Sequence, residues 1–278
     1  MLRRVDRVQI AVRDRAPAEA AASAIFGAEL IRRDEVAPIA ARRSLMQAGS
    51  SVLEFLEPSG AGPVADFLAR WNEGLFAAGF SVADVEAAAA ALERNGVSFA
   101  RASGQLFIGA DATAGMRAVI STFHERAPAG AIKWIYEVTN VVADWRAAAQ
   151  RYARIFGLDA SRFVAIESGD FGYTGTLTMF EPPERLDRIE ISQPASSAAA
   201  MGRFHARRGD SLYMFYVEAD DVEAIAQRLR ARGGRFTPRK DGLRDGLWIH
   251  PTAFCGVLVG VSRTTVAWRW SGAPERAK

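Results

Sequence analysis

The side chains in this sequence best suited to chemistry stand at repeated places. VDRVQIAVRD, residues 5–14, puts apolar Val8, Ile10 and Val12 on one face of a strand and Arg7 and Gln9 on the other, because successive side chains of a strand alternate faces. IYEVTNVVAD, residues 135–144, has the same shape, with Glu137 where Arg7 stood. SVLEFLEP, residues 51–58, is echoed by RIEISQP, residues 188–194, which sets Glu54 opposite Glu190. An arginine in such a place can pair with a carboxylate of the protein or hold a carboxylate or phenolate of a ligand. Glutamates kept from water can act as general acid and base. Tyr216, in LYMFYV, offers a phenolic proton, and His250, in WIHP on the strand face of Trp248, can shuttle or donate one. Cys255 lies beside a turn in TAFCGVLVG with no histidine within a few residues, poor surroundings for a nucleophile.

The elements that position these residues come in two copies. Each first strand ends at an aspartate, Asp14 or Asp144, and is followed by an Ala-rich amphipathic helix that stops at the glycine of a shared IFG. Glycine suits a helix end because a left-handed residue costs least there. Residues 74–97, GLFAAGFSVADVEAAAAALERNGV, match residues 211–234, SLYMFYVEADDVEAIAQRLRARGG. Each reads as a strand and then a helix opening at an acidic N-cap, with Asp84 aligned on Asp220. AGMRAVIS and CGVLVGVS close the two halves, so each half reads β-α-β-β-β twice over. The expected division is a first module over 1–123, a linker at 124–131 (HERAPAGA), a second module over 132–266 and a tail at 267–278.

Composition narrows the partners. The 278 residues are 49% hydrophobic, enough for two cores. The net charge of +3 comes from 35 basic and 32 acidic residues dispersed among each other, which reads as a solvated surface and not a nucleic-acid stripe. Only Lys133, Lys240 and Lys278 are lysines; the arginine and alanine bias fits a GC-rich, bacterial genome. With one cysteine, no leader pattern and no run approaching the ~20 apolar residues of a membrane span, a reducing cytoplasm is expected, with no membrane partner.

Taken in order, V-D-R-V-x-I-A-V-R-D, L-E-F-L-E-P, G-L-F-x-A-G-F-x-V-x-D-V and L-W-I-H-P-T-A-F-C-G-V-L-V-G-V resemble the vicinal oxygen chelate superfamily of glyoxalases, epimerases, extradiol dioxygenases and bleomycin-resistance proteins. The resemblance implies an α+β fold of two tandem modules, each of paired βαβββ units curling a mixed sheet into a cup. In the family, four ligands inside the cup usually hold a metal. At those places the sequence has Arg7, Glu54, Ala77 and Val119 in the first module, and Glu137, Glu190, Met214 and Gly260 in the second. Its three histidines, His124, His205 and His250, stand elsewhere.

On that alignment Arg7 closes the first cup on Glu54 or holds a ligand with it. In the second cup two neighbouring carboxylates cannot easily both stay ionised, so one pKa should rise. No metal site and no cofactor are expected, the alternatives at Glu137 and Glu190 being a weak divalent-cation site or neutralisation by Arg162, Arg188, Arg239 or Lys240. The leading functional expectation is proton transfer, as in an isomerase or lyase, on a carbonyl-bearing or aromatic small molecule in the second cup. Glu137, Glu190, Tyr216 and His250 would act, with Met214, Trp248 and a lid residue, His205, at the substrate. The alternatives are a protein that sequesters a drug or metabolite on aromatics such as Trp134, Trp145, Phe171 and Trp248, and a divergent ring-cleavage dioxygenase. A homodimer is the expected association, if any.

Overall fold

The computed structural model describes residues 1–180, 185–239 and 242–264, apart from the side chain at 244. The expected tail at 267–278 and Lys240 lie outside them. The first module holds β1 (Leu2–Ala11), β2 (Glu29–Val36), β3 (Ala41–Ala48), β4 (Ser51–Pro58), β5 (Gly74–Val82), β6 (Phe99–Ala102), β7 (Gln105–Ile108) and β8 (Ala118–Thr122). The second repeats it with β9 (Trp134–Val141), β10 (Val164–Ser168), β11 (Tyr173–Met179), β12 (Arg188–Pro194), β13 (Ser211–Glu218), β14 (Phe236–Arg239), β15 (Gly242–Ile249) and β16 (Leu258–Ser262). Helices α1 (Arg15–Phe26), α2 (Pro63–Trp71), α3 (Val85–Arg94), α4 (Trp145–Phe156), α5 (Ala200–Arg208) and α6 (Val222–Ala231) connect them.

Both sheets are eight-stranded and ordered alike: β2-β3-β4-β1-β5-β8-β7-β6 and β10-β11-β12-β9-β13-β16-β15-β14. In each, the first and fifth strands of the module meet at the centre as an antiparallel pair, while the first and fourth run parallel. The fold is therefore α+β, with two tandem cups.

Local chemistry explains the repeated starts and stops. Asp14 and Asp144 each accept a hydrogen bond from a backbone N–H of the helix they open, at 2.9 Å, satisfying a donor that has no partner within the helix. One expected cap differs. Asp221, and not Asp220, caps α6 by accepting from Ala224 N at 2.9 Å, while Asp220 pairs with Lys133 Nζ at 2.7 Å. Of two adjacent aspartates, the one nearer the helix takes the cap and frees the other for Lys133.

The convex faces of both sheets and their helices share one apolar core that crosses the seam. Val8 and Ile10 of β1 lie in it with Val138 of β9, and Phe80 packs on Phe156 and Phe180 with ring centroids 5.7 and 5.8 Å apart. The opposite, concave faces carry the polar side chains: Arg7, Gln9, Glu54, Glu137 and Glu190. Alternation along a strand thus commits one face to the core and hands the other to the cups.

Candidate functional site

The floor of the first cup is taken up by its own charges, and the cavity left beside Gln9, Ala77 and Val119 is only about 150 Å³. Arg7 donates from Nη1 to Glu54 at 2.8 Å, from Nη2 to Ser121 Oγ at 2.8 Å, and from Nε and Nη2 to Asp6 at 3.3 and 3.1 Å. Gln9, Arg43 and Gln105 add hydrogen bonds to Glu54 at 2.7, 3.1 and 3.2 Å. Glu54 is fully buried, and burial alone would raise its pKa; the Arg7 and Arg43 guanidiniums overcome that and hold it down, at about 2. Of the two expectations for Arg7 and Glu54, a salt bridge that closes the cup or a contact with a substrate, the structure has the salt bridge. Gly79 stands across from Arg7, where a β-carbon would come 1.8 Å from Arg7 Cγ, so the arginine has room only because that residue is glycine.

The second cup is open. It encloses a cavity of about 420 Å³ bounded by Glu137, Glu190, Tyr216, Met214, Tyr173 and Trp248, with Met201 and Arg203 of α5 and Phe171 of the β10–β11 turn over its mouth. β9 supplies Glu137 and β12 supplies Glu190. Glu137 accepts from Arg188 Nε at 2.5 Å, the two residues lying directly across the parallel β9–β12 pairing. Arg188, Glu190 and Ser192 share one face of β12, and Ser192 Oγ donates to Glu190 at 2.6 Å. Burial pushes Glu190 up to about 8, and the charge of Glu137 adds to the rise. At neutral pH the pair therefore holds a proton that an exposed glutamate would have lost.

Aromatic groups line the rest. Tyr216 lies across from Glu137 and receives a hydrogen bond from Trp248 Nε1 at 3.3 Å. Burial, with the two glutamates, keeps the hydroxyls of Tyr216 and Tyr173 protonated far above the usual phenol range. Phe171 packs edge-on against Trp248 at 5.8 Å. Such a cavity can enclose a small planar molecule and offer it one proton acceptor and several donors.

Of the residues expected from the sequence, Glu137, Glu190, Met214, Tyr216 and Trp248 come together here. The two histidines do not join them. His250 bonds Thr237 Oγ1 at 2.9 Å and lines a neighbouring cavity, because the chain turns away at Pro251. His205 bonds Asp210 at 2.9 Å; its segment is a helix, α5, which covers the cup with Met201 and Arg203 and carries His205 away from it. Among the four proposed neutralisers it is Arg188 that meets Glu137. Trp134 stacks with Arg185 at 4.6 Å and packs behind Met214 and Tyr216, and Trp145 stacks with Arg146 at 4.4 Å; neither lines the cavity. Sequence reasoning missed Ser192, Tyr173 and Met201. The R-x-E-x-S alternation of residues 188–192 carried the signal for the first, since period two puts all three side chains on one face.

The pattern of the Glyoxalase/Bleomycin resistance protein/Dioxygenase superfamily matches residues 6–115 and again 137–249. The chain belongs to this superfamily. A triple mutant of 4-hydroxymandelate synthase from Streptomyces coelicolor matches over 100% of both chains, with a TM-score of 0.71 and 12% identity, a likeness of fold. Methylmalonyl-CoA epimerases match one module's length. The Mycobacterium tuberculosis enzyme is 23% identical over 47% of this chain and 87% of its own, with a TM-score of 0.39. That of Streptomyces coelicolor, a variant in complex with 2-nitronate-propionyl-CoA, is 26% identical over 44% and 100%, also at 0.39. Comparison with curated proteins gives no match.

Membership corrects one expectation. A superfamily that takes in dioxygenases, and a full-length fold neighbour that is a hydroxymandelate synthase, overturn the expectation of no cofactor beyond a weak divalent cation at Glu137 and Glu190. The superfamily's ligand positions in the second cup nonetheless make a poor fit to the superfamily's metal. One carboxylate is engaged by a guanidinium at 2.5 Å, Met214 offers a soft thioether, and Gly260 offers nothing. Among the described residues no cluster of three His, Cys, Asp or Glu side chains can hold an ion. Among them, too, no helix is long and apolar enough to cross a membrane.

Proposed function

We propose that the second cup binds a small carbonyl-bearing or aromatic molecule and moves a proton on it, in the manner of an isomerase or lyase, with Glu137 and Glu190 as the proton-handling pair. The observation that carries this reading is the buried contrast between two neighbouring glutamates. Glu137 faces Arg188 at 2.5 Å, while burial holds Glu190 protonated up to about 8. A carboxyl group that keeps its proton beside a carboxylate paired with a guanidinium supplies an acid and a base.

The step balances without a further reactant. Glu137 takes a proton from the carbon beside the carbonyl as Glu190 gives its own to the carbonyl oxygen, leaving a neutral enol and one carboxylate, now Glu190. Return of a proton to another carbon or face isomerises the molecule; for an elimination, Glu190 takes the enol proton back as a group leaves the adjacent carbon with its bonding pair and collects the proton held by Glu137. Tyr216 donates its hydroxyl to the same oxygen, and the apolar walls keep water from quenching the exchange.

The test is hydrogen exchange. Candidate carbonyl compounds incubated in heavy water with the protein should exchange the acidic C–H for deuterium, read by NMR. Exchange should fall at least about a hundredfold in Glu190→Gln and Glu137→Gln, the scale of general acid–base catalysis. A second reading, sequestration of a planar guest, draws on the Phe171–Trp248 pair at the mouth. It predicts tight binding with no exchange and no effect of Glu137→Gln on exchange.

A further inference from the structure

The cavity beside Glu190 does not end at Trp248. A second cavity, of about 520 Å³, shares Phe171, Ala200, Tyr213, Trp248 and Leu258 with it, so the two adjoin along that wall. The far side of the second chamber differs in chemistry. Arg207, Arg208, Thr237 and His250 line it, and Leu75 of β5 brings the first module to its edge.

Arg208 gives the chamber its character. Its guanidinium lies 5.1, 5.2 and 5.7 Å from the rings of Phe204, Trp71 and Phe67, the last two on α2 of the first module. Nη2 donates to the Trp71 carbonyl at 3.1 Å, but Nε is buried with no hydrogen-bond partner. Among the described residues no acidic side chain pairs with Arg207 or Arg208. Burial, with the charge of Arg207, pushes the Arg208 pKa down to about 10. A guanidinium drawn from water is ordinarily paired with an anion, because its desolvation is otherwise uncompensated. Here Arg208 stands so without an acidic partner, with the exposed Arg207 beside it, one wall away from the reacting pair.

We propose that this chamber binds an oxyanion substituent, carboxylate or phosphate monoester, of the same molecule whose reacting end lies beside Glu190. The inference rests on the proton-transfer reading for where the reacting end lies, and it deepens that reading by naming the substrate class: a planar or carbonyl-bearing group with an acidic tail. It also gives the first module a task, since Trp71 and Phe67 hold Arg208 in place.

Calorimetry on the full chain at neutral pH tests it with phenylpropionate, phenethyl phosphate and the uncharged phenylpropionamide. At least one of the two acids should bind about tenfold or more tighter than the amide, as expected for a charge-assisted contact, and the stronger of the two names the oxyanion. Arg207→Gln/Arg208→Gln should reduce that preference to near one. Arg207→Gln, at an exposed position, should lower it in part and decides the matter if the double variant does not fold. Glu190→Gln should keep the preference, so the fate of the proton-transfer reading is judged separately by hydrogen exchange. Equal binding of amide and acids, no binding by any of the three, or a preference that survives loss of the arginines would overturn the proposal.

Discussion

The ring of Tyr216 lies against the bare backbone of Gly260. A β-carbon on Gly260 would stand 2.0 Å from both Cδ1 and Cε1 of that ring. These two residues are paired across β13 and β16, and in the first module the same pairing joins Gly79 to Val119. The large and small partners have changed places, and in each cup the glycine admits one bulky side chain: Arg7 in the first, Tyr216 in the second. The first cup keeps a cavity of only about 150 Å³ as a result, and the second one of about 420 Å³ walled by a phenol.

Gly260→Ala should therefore displace Tyr216 and destabilise the fold by about 1–3 kcal/mol, the usual range for overpacking. Urea unfolding measures the loss. Adding Tyr216→Ala should recover part of it, because the two substitutions share one clash; strictly additive losses would contradict the packing relation.

Glu54→Gln should cost about 3–5 kcal/mol by leaving Arg7 and Arg43 short of charge in a closed interior. The sign with pH is fixed by the depressed pKa. Glu54's contribution is fully present above its unfolded value, near 4.5, and is lost as pH falls toward about 2. Acid unfolding of the wild type should thus be steeper than that of Glu54→Gln, with ligand binding in the second cup unchanged.

Removing one partner of the Glu137–Arg188 pair should be worse than removing both. Arg188→Met alone leaves a buried carboxylate and should cost about 3–5 kcal/mol, whereas Arg188→Met with Glu137→Leu should regain most of that in a denaturant titration. Both proteins should lose hydrogen exchange on the substrate. Recovery of stability without exchange separates the structural from the chemical role of Glu137.

Glu190 should make the protein less stable as pH rises. Its folded pKa, about 8, lies above the unfolded value near 4.5, so the folded state holds a proton that the unfolded chain has released across that interval. The contribution is fully present below 4.5 and gone above about 8. Melting temperatures between those limits should fall for the wild type relative to Glu190→Gln; parallel curves would contradict the shift.

How much of this was legible beforehand follows from periodicity. The repeat, the strand faces and the placing of Arg7, Glu54, Glu137 and Glu190 toward the cups follow from period two and from helix caps, which are local. The difference between a plugged cup and an open one is not local. It depends on Arg43 and Gln105, which reach Glu54 from β3 and β7, and on glycines whose value lies in a neighbour's bulk. The histidines misled for a related reason: type and proximity in sequence promised chemistry, but the turn at Pro251 and the winding of α5 direct both rings elsewhere. Asp220 and Asp221 are a different case: read without a gap, the match of residues 74–97 to 211–234 sets Asp84 on Asp221, the residue that takes the cap, and the expectation of Asp220 stood one residue off.

The proton on Glu190 is the centre of the account, and carboxyl-carbon NMR of glutamate-labelled protein titrated with base observes it directly. One side-chain resonance, absent from Glu190→Gln, should keep its protonated shift through neutrality and titrate with a midpoint near 8. If every glutamate carbon in the folded protein titrates near or below the ordinary 4.5, Glu190 is a common carboxylate and the acid in the second cup does not exist.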